Sequence, residues 1–482
     1  FFRSTLANDD LVIRVGFAPP RDSNTVYYEN VIPQISALSS DAINRNLYNT
    51  AGHQILRFGG TQFSLTGMNV TVRGKPCNFL PGYPQEVATP PDEMQEYELL
   101  CYTPQGQGTI NPVIVHLGNS AGPPMNLRYK PPTITSAVLE RTGQLISTIG
   151  ADGTTVTIHM PTIGGHVMLY GEQFGQAGFE ELNLFYRDSV PPISAPRNHS
   201  AMNVTLPPGD GTRYALELTV EDQPTTNKVY VSFNAPQIRS VSPLNGPTAG
   251  GIPITITGID FGDTLPTVMI GTQQCDIVSS GHFVIVCTLP FNQGKDHAVT
   301  VTVNGQTSNQ VQQFKFNYDR PVLQWLTPLS GNTNGGQVMT LVGTNLGRRD
   351  AIIRFSAGSD GSAATKIASG NVTLQTDTMI KFLLPEGEGI GHRVSVDVSG
   401  LTSVQTSSNL TFTYNPPTIA AISPLEAPTK GGTLLTITGA DFGVSDISVT
   451  LGGRDCTNVK QDHNKVTCRI PQGLGGNNAV LV

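Results

Sequence analysis

Three groups of residues in this chain have types and spacings able to do chemistry: glycine-rich stretches, paired cysteines, and scattered histidines, acids and asparagines. The stretch GPTAGGIPITITGIDFG, residues 246–262, has the glycine content of a phosphate-binding loop, in which backbone N–H groups cradle oxyanions at the start of a helix. Such a loop needs a helix straight after its glycines, and a P-loop needs Lys-Ser or Lys-Thr as well. These glycines lead instead into an alternating run, with Ile254 and Ile256 on one face and Thr255 and Thr257 on the other, which is the period of a half-buried strand. The pattern returns as NTAGHQILRFGGTQF from Asn49, MPTIGGHVMLYGEQFG from Met160, GNTNGGQVMTLVGTNLG from Gly331 and APTKGGTLLTITGADFG from Ala427. A nucleotide site is usually needed once and a building block many times, so the glycines read as turn residues that allow φ > 0.

The six cysteines fall two to a repeat in three repeats: Cys77 with Cys101, Cys275 with Cys287, and Cys456 with Cys468. In each pair the first follows the strand after the glycine turn (RGKPC, GTQQC, GGRDC), and the second sits just before a loop opened by proline. Equivalent placement makes three intradomain disulfides the preferred reading, and these belong to an oxidising, extracellular compartment. Zinc, which takes four closely spaced ligands, finds no C-x-x-C; free thiols of a cytosolic protein remain the alternative.

The other candidates carry less. The nine histidines include no H-E-x-x-H and no triad-like pattern, so no residue is assigned to catalysis, metal or cofactor. GSDGSAATK near Ser359 lacks the alternating acids and closing glutamate of a calcium loop and reads as a long hairpin. N-x-S/T sequons stand at Asn69, Asn198, Asn203, Asn371 and Asn409, candidate glycan sites. Asn69 and Asn409 alternate with Val70, Val72, Leu410 and Phe412, so both are expected to face outward. Trp325, the only tryptophan, occupies a place held elsewhere by Ser240 or Ala421 and is expected to pack between domains or to anchor a contact with another chain.

The elements that position these residues are set by length and composition. A chain of 482 residues fits several cores, and 51 Gly, 35 Pro and only 13% charged residues make it turn-rich and helix-poor. Net charge is -7 with no basic cluster, which excludes an electrostatic footprint for nucleic acid, and no apolar run approaches the ~20 residues of a membrane helix. An aromatic strand, a proline and a branched aliphatic mark each joint, at Pro33, Pro132, Pro236, Pro321 and Pro417, roughly 85 to 105 residues apart, the length of an immunoglobulin-like sandwich. This divides the chain into 1–32 (the last strands of an incomplete domain), 33–131, 132–235, 236–320, 321–416 and 417–482, the last without its final aromatic strand. The expected fold is all-β: tandem antiparallel sandwiches with almost no linker, forming an elongated, fairly rigid rod.

The order P-x-I-x-x-(V/I)-x-P, G-P-T-x-G-G, I-T-G-x-D-F-G, G-x-x-x-C and C-x-(L/I)-P-x-x-G resembles the IPT/TIG domain, the immunoglobulin-like module of plexins, Met-type receptors and some transcription factors. The match is close in the third and fifth repeats, good in the fourth, and looser in the first and second. Transcription-factor members bind DNA through a partnering domain, which an acidic chain with paired cysteines does not support. The resemblance therefore implies a cell-surface or extracellular protein, in one of two forms. One is a structural or adhesive subunit of a filament, its partners other copies of itself joined head to tail where the N-terminal strands complete the last domain. The other is the stalk of a plexin- or Met-like receptor ectodomain or adhesin with a protein ligand. The opening FFRSTLANDD has no signal peptide, as in a mature or excised piece.

Overall fold

The computed structural model of the chain describes residues 6–7, 10–11, 34–40, 47–61, 67–83, 85–87, 96–175, 182–186, 193–308, 314–356, 365–367, 371–405, 410–445 and 447–482. The expected strands of 12–33, the loop around Ser359 and the sequon at Asn409 lie outside these. The chain divides into two compact units, Phe1–Asn234 and Ala235–Val482. Among the described residues the regular structure is essentially all β, and no helix is long and apolar enough to cross a membrane.

In the first unit, residues 34–129 and 133–233 each fold into two sheets; in the second, 322–414 and 418–481 do the same, while in 237–318 the strand Gln273–Ser280 pairs with both Thr267–Ile270 and Val284–Thr288 and joins the two layers into one nine-stranded sheet. The quoted stretch becomes the strand Pro253–Ile259, with Ile254 and Ile256 fully buried and the threonines between them half-buried. Each of those isoleucines contributes about 1.5–3 kcal/mol by leaving water. It pairs antiparallel with Gln237–Ser242 on one side and Val284–Thr288 on the other. The strands Leu434–Ala440 and Val338–Thr344 repeat this arrangement.

The spacing I-x-x-V in the joint motif is the trace of a β-bulge. Register slips between Ile35 and Ala37, Ile134 and Ser136, Ile238 and Ser240, Leu323 and Trp325, and Ile419 and Ala421. One extra residue turns a period of two into a step of three, so Ile238 and Val241, or Leu323 and Leu326, are both buried. A purely antiparallel sandwich needs two amendments, one of them the parallel pairing of Val322–Thr327 with Val404–Gln405. In four repeats a short strand after the bulged one also crosses to the opposite layer and pairs in parallel with a later strand, as Asn245–Gly246 does with Lys315–Tyr318.

The glycines do serve turns. In Pro247-Thr248-Ala249-Gly250 the Gly250 N–H donates to the Pro247 carbonyl, φ is +74°, and a Cβ there would stand 2.5 Å from the Leu289 carbonyl oxygen. Only glycine fits that place.

Candidate functional site: the joints between sandwiches

The structure concentrates its long-range polar chemistry where one sandwich meets the next within a unit. The second residue of each glycine turn is a threonine whose carbonyl is bonded within its own sandwich. Thr50, Thr248, Thr333 and Thr429 accept from Gly106, Asn292, Gly387 and Gly473, all in the proline-opened loop of the same sandwich. The following sandwich clamps the outward side with two residues. Thr50 N–H donates to Gln173 Oε1 at 2.7 Å, and its hydroxyl lies 2.7 Å from His199 Nδ1. Thr248 N–H donates to Asn345 Oδ1 at 3.1 Å, and its hydroxyl to Asp377. Thr333 N–H donates to Asp441 Oδ1 at 2.9 Å, and its hydroxyl lies 2.9 Å from His463 Nδ1. These threonines are 1–2% exposed, whereas the equivalent Thr429 is exposed, so the burial is produced by the neighbouring sandwich.

Both clamping residues are held locally. Gln173, Asn345 and Asp441 precede Phe174, Leu346 and Phe442 and have φ of 64°, 57° and 62°, a left-handed conformation that Asn and Asp tolerate best. The ring or branched side chain after them is buried and fixes the turn. The second residue sits in a hairpin whose carbonyl binds that same turn: Phe174, Leu346 and Phe442 N–H donate to His199, Asp377 and His463. The two contacts on each threonine are thus placed by one hydrogen-bonded loop pair.

A second pin comes from the loop P-x-(G/N)-x-G. Gln293 accepts from Arg348 N–H at 3.0 Å and donates to the Arg349 carbonyl and Ser399 hydroxyl at 2.9 Å each, while the Arg348 guanidinium lies 4.0 Å from the Phe291 ring centre. Glu388 accepts from Val444 N–H at 3.2 Å and from the Ser445 hydroxyl. At the first joint Gln107 donates to Glu221, Arg73 pairs with Glu221 at 2.6 Å, and Asp222 takes Thr109. A tyrosine from a late strand braces the loop: Tyr129, Tyr318 and Tyr414 hydroxyls donate to the carbonyls of Pro104, Pro290 and Pro385 at 2.7, 2.9 and 2.9 Å. Burial raises all three phenols, Tyr414 to about 12, where burial is followed by the nearby Glu386 charge.

The paired cysteines stand differently in the three repeats that carry them. Cys77–Cys101 and Cys275–Cys287 are bonded, at S–S distances of 2.05 and 2.08 Å. Cys456 and Cys468, expected as a third bridge, stand as two buried thiols. Burial first, then the Cys456 side chain, pushes the Cys468 thiol up to about 12, so the thiolate needed for exchange is suppressed.

The sequons separate. Asn69, Asn198 and Asn371 are exposed; Asn203 is 9% exposed and its amide donates to Glu140 at 3.1 Å. Trp325 is half exposed on the outer face of Val322–Thr327, opposite Val342, which in turn opposes Met379. No three metal-ligating side chains converge among the described residues. The joint residues themselves have no role that the sequence alone suggests. By sequence His199 and His463 are isolated histidines, and Gln173, Asn345 and Asp441 are turn residues. The available signal is the threonine present in every copy of the turn.

A family profile described as IPT/TIG domain matches residues 236–316, 321–414 and 417–482. Fibrocystin-L of Mus musculus is 27% identical over 313 residues, 64% of this chain and 7% of its own length. Plexin-A2 of Homo sapiens is 27% identical over 264 residues, 50% of this chain and 13% of its own. The chain therefore spans only a small part of these curated relatives. Among solved structures, the full extracellular region of plexin A4 aligns with 90% of this chain and 46% of its own at 14% identity and a TM-score of 0.21. The ICAM-5 D1–D4 ectodomain fragment aligns with 67% of this chain and 95% of its own at 12% identity and a TM-score of 0.21.

Proposed function

Because the chain belongs to the IPT/TIG domain family, we propose that it is a stalk segment of a receptor-type extracellular protein, whose joined sandwiches hold a ligand-binding region in position. The observation that carries this is the threonine clamp, repeated at three joints with the same geometry. A spacer must resist bending at its joints, and a pair of hydrogen bonds on a buried threonine plus a second pin at these three joints supports that role. The relatives favour this reading over the filament subunit, since plexins and fibrocystin-L share the domain. The partner it calls for is a protein ligand, with glycans on exposed Asn69, Asn198 and Asn371, while Asn203 is too buried and too well bonded to accept one.

The test is sedimentation of the secreted chain across a hundredfold concentration range, with glycopeptide mapping on the same material. A monomer at every concentration, glycosylated at the three exposed asparagines, supports the stalk. Concentration-dependent growth into end-to-end polymers would replace it with the filament.

A further inference from the structure

The two residues that clamp each threonine are not independent of one another. They are Gln173 with His199, Asn345 with Asp377, and Asp441 with His463. The third repeat carries the pair Asp260 and His282 at the equivalent positions, where Phe261 N–H donates to the His282 carbonyl. Each position accepts a carboxylate: Asp441 stands at the left-handed residue and Asp377 at the hairpin residue. Yet where the hairpin residue is Asp377 the left-handed residue is the neutral Asn345, and where the left-handed residue is an aspartate its partner is a histidine.

We infer that the turns of Thr50, Thr248 and Thr333 are docking sites for the leading end of an IPT/TIG domain that brings no more than one carboxylate, and that this charge count governs which domain can follow at these joints. The geometry supplies the reason. Asn345 Oδ1 lies 3.4 Å from the Thr248 hydroxyl oxygen that also contacts Asp377, so the two side-chain oxygens are separated by less than two hydrogen-bond lengths, ~6 Å. Two carboxylates at that separation, both at half-buried positions, would repel each other, with solvent screening only partial. A histidine at the hairpin removes the conflict, because its Nδ1 contacts the hydroxyl without a second negative charge. The inference concerns the joints alone, so its failure leaves the stalk reading standing.

The test is a charge-swap series at the Thr248 joint, read by amide exchange of the segment carrying Thr248 in the full chain. Asn345→Asp keeps a residue that tolerates φ of 57° and changes only the charge. It is expected to speed exchange at Thr248 at least ~10-fold. Adding Asp377→His, which recreates the Asp441 and His463 pair, is expected to return exchange to within about threefold of the starting chain, and Asn345→Asp with Asp377→Asn to do the same. Unchanged protection of the strand Val338–Thr344 in every variant shows that the sandwich stays folded. An inert single variant would overturn the inference, and so would a double variant that fails to recover.

Discussion

Replacing Asp441 separates the two things that residue does. Its carboxylate accepts the Thr333 N–H at 2.9 Å, and its backbone holds φ of 62°. Thr333 is 2% exposed, so the orphaned N–H finds no ready water. A hydrogen bond to a charged acceptor is worth about 1.5–3 kcal/mol, and the left-handed conformation costs an alanine about 1–2 kcal/mol. Asp441→Asn keeps the acceptor and the tolerated φ, Asp441→Gly keeps the conformation and loses the acceptor, and Asp441→Ala loses both. Amide exchange around Thr333 is expected to rise about 5-fold in the asparagine variant, which keeps a neutral acceptor, and roughly 10- to 150-fold in the glycine variant. The alanine variant should add a lower melting temperature for the fifth sandwich, by roughly 4–8 °C per kcal/mol of strain, since strain in its own turn burdens that sandwich even when the joint is open. If glycine and asparagine variants exchange alike at Thr333, the clamp does not hold the joint.

Two further outcomes are expected. Burial raises Tyr129, Tyr318 and Tyr414 above the ordinary phenol value, so their contribution to stability is fully present below pH ~10 and is lost as pH rises through each raised value, for Tyr414 at about 12, where ionisation removes the hydroxyl donor; phenolate absorbance and unfolding should move together, and Tyr414→Phe should cost about 1 kcal/mol and flatten part of that dependence. Reduction should destabilise the sandwich closed by Cys77–Cys101 about 0.6 kcal/mol more than the one closed by Cys275–Cys287, because separations of 24 and 12 residues differ by one doubling of loop length; urea unfolding of Cys→Ala pairs measures both, and the pair Cys456 and Cys468 should show no such loss.

Much of the fold is legible in the residues themselves. The alternation in ITITG places Ile254 and Ile256 inside because side-chain direction along a strand is a local property of period two. Gly250 is legible for the same reason: a left-handed φ in a tight turn is a demand made within four residues. Even the bulge is written, as the three-residue step from Ile238 to Val241. The cysteines could be grouped two to a repeat by position, whereas the burial that raises the Cys468 thiol is set by the sandwich packed around it.

The joints were decided elsewhere. Thr248 meets Asn345 across 97 residues, Thr333 meets Asp441 across 108, and Thr50 meets His199 across 149. Nothing in the local pattern of a threonine turn names its acceptor, because that acceptor belongs to a different sandwich, delivered only when the fold has brought the leading loops of one against the trailing turns of another. The sequence alone determined five sandwich-forming patterns and their turns, through steric rules that act over a few residues. The tertiary structure alone decided which side chains hold the sandwiches together, because hydrogen bonds between them depend on where whole elements pack.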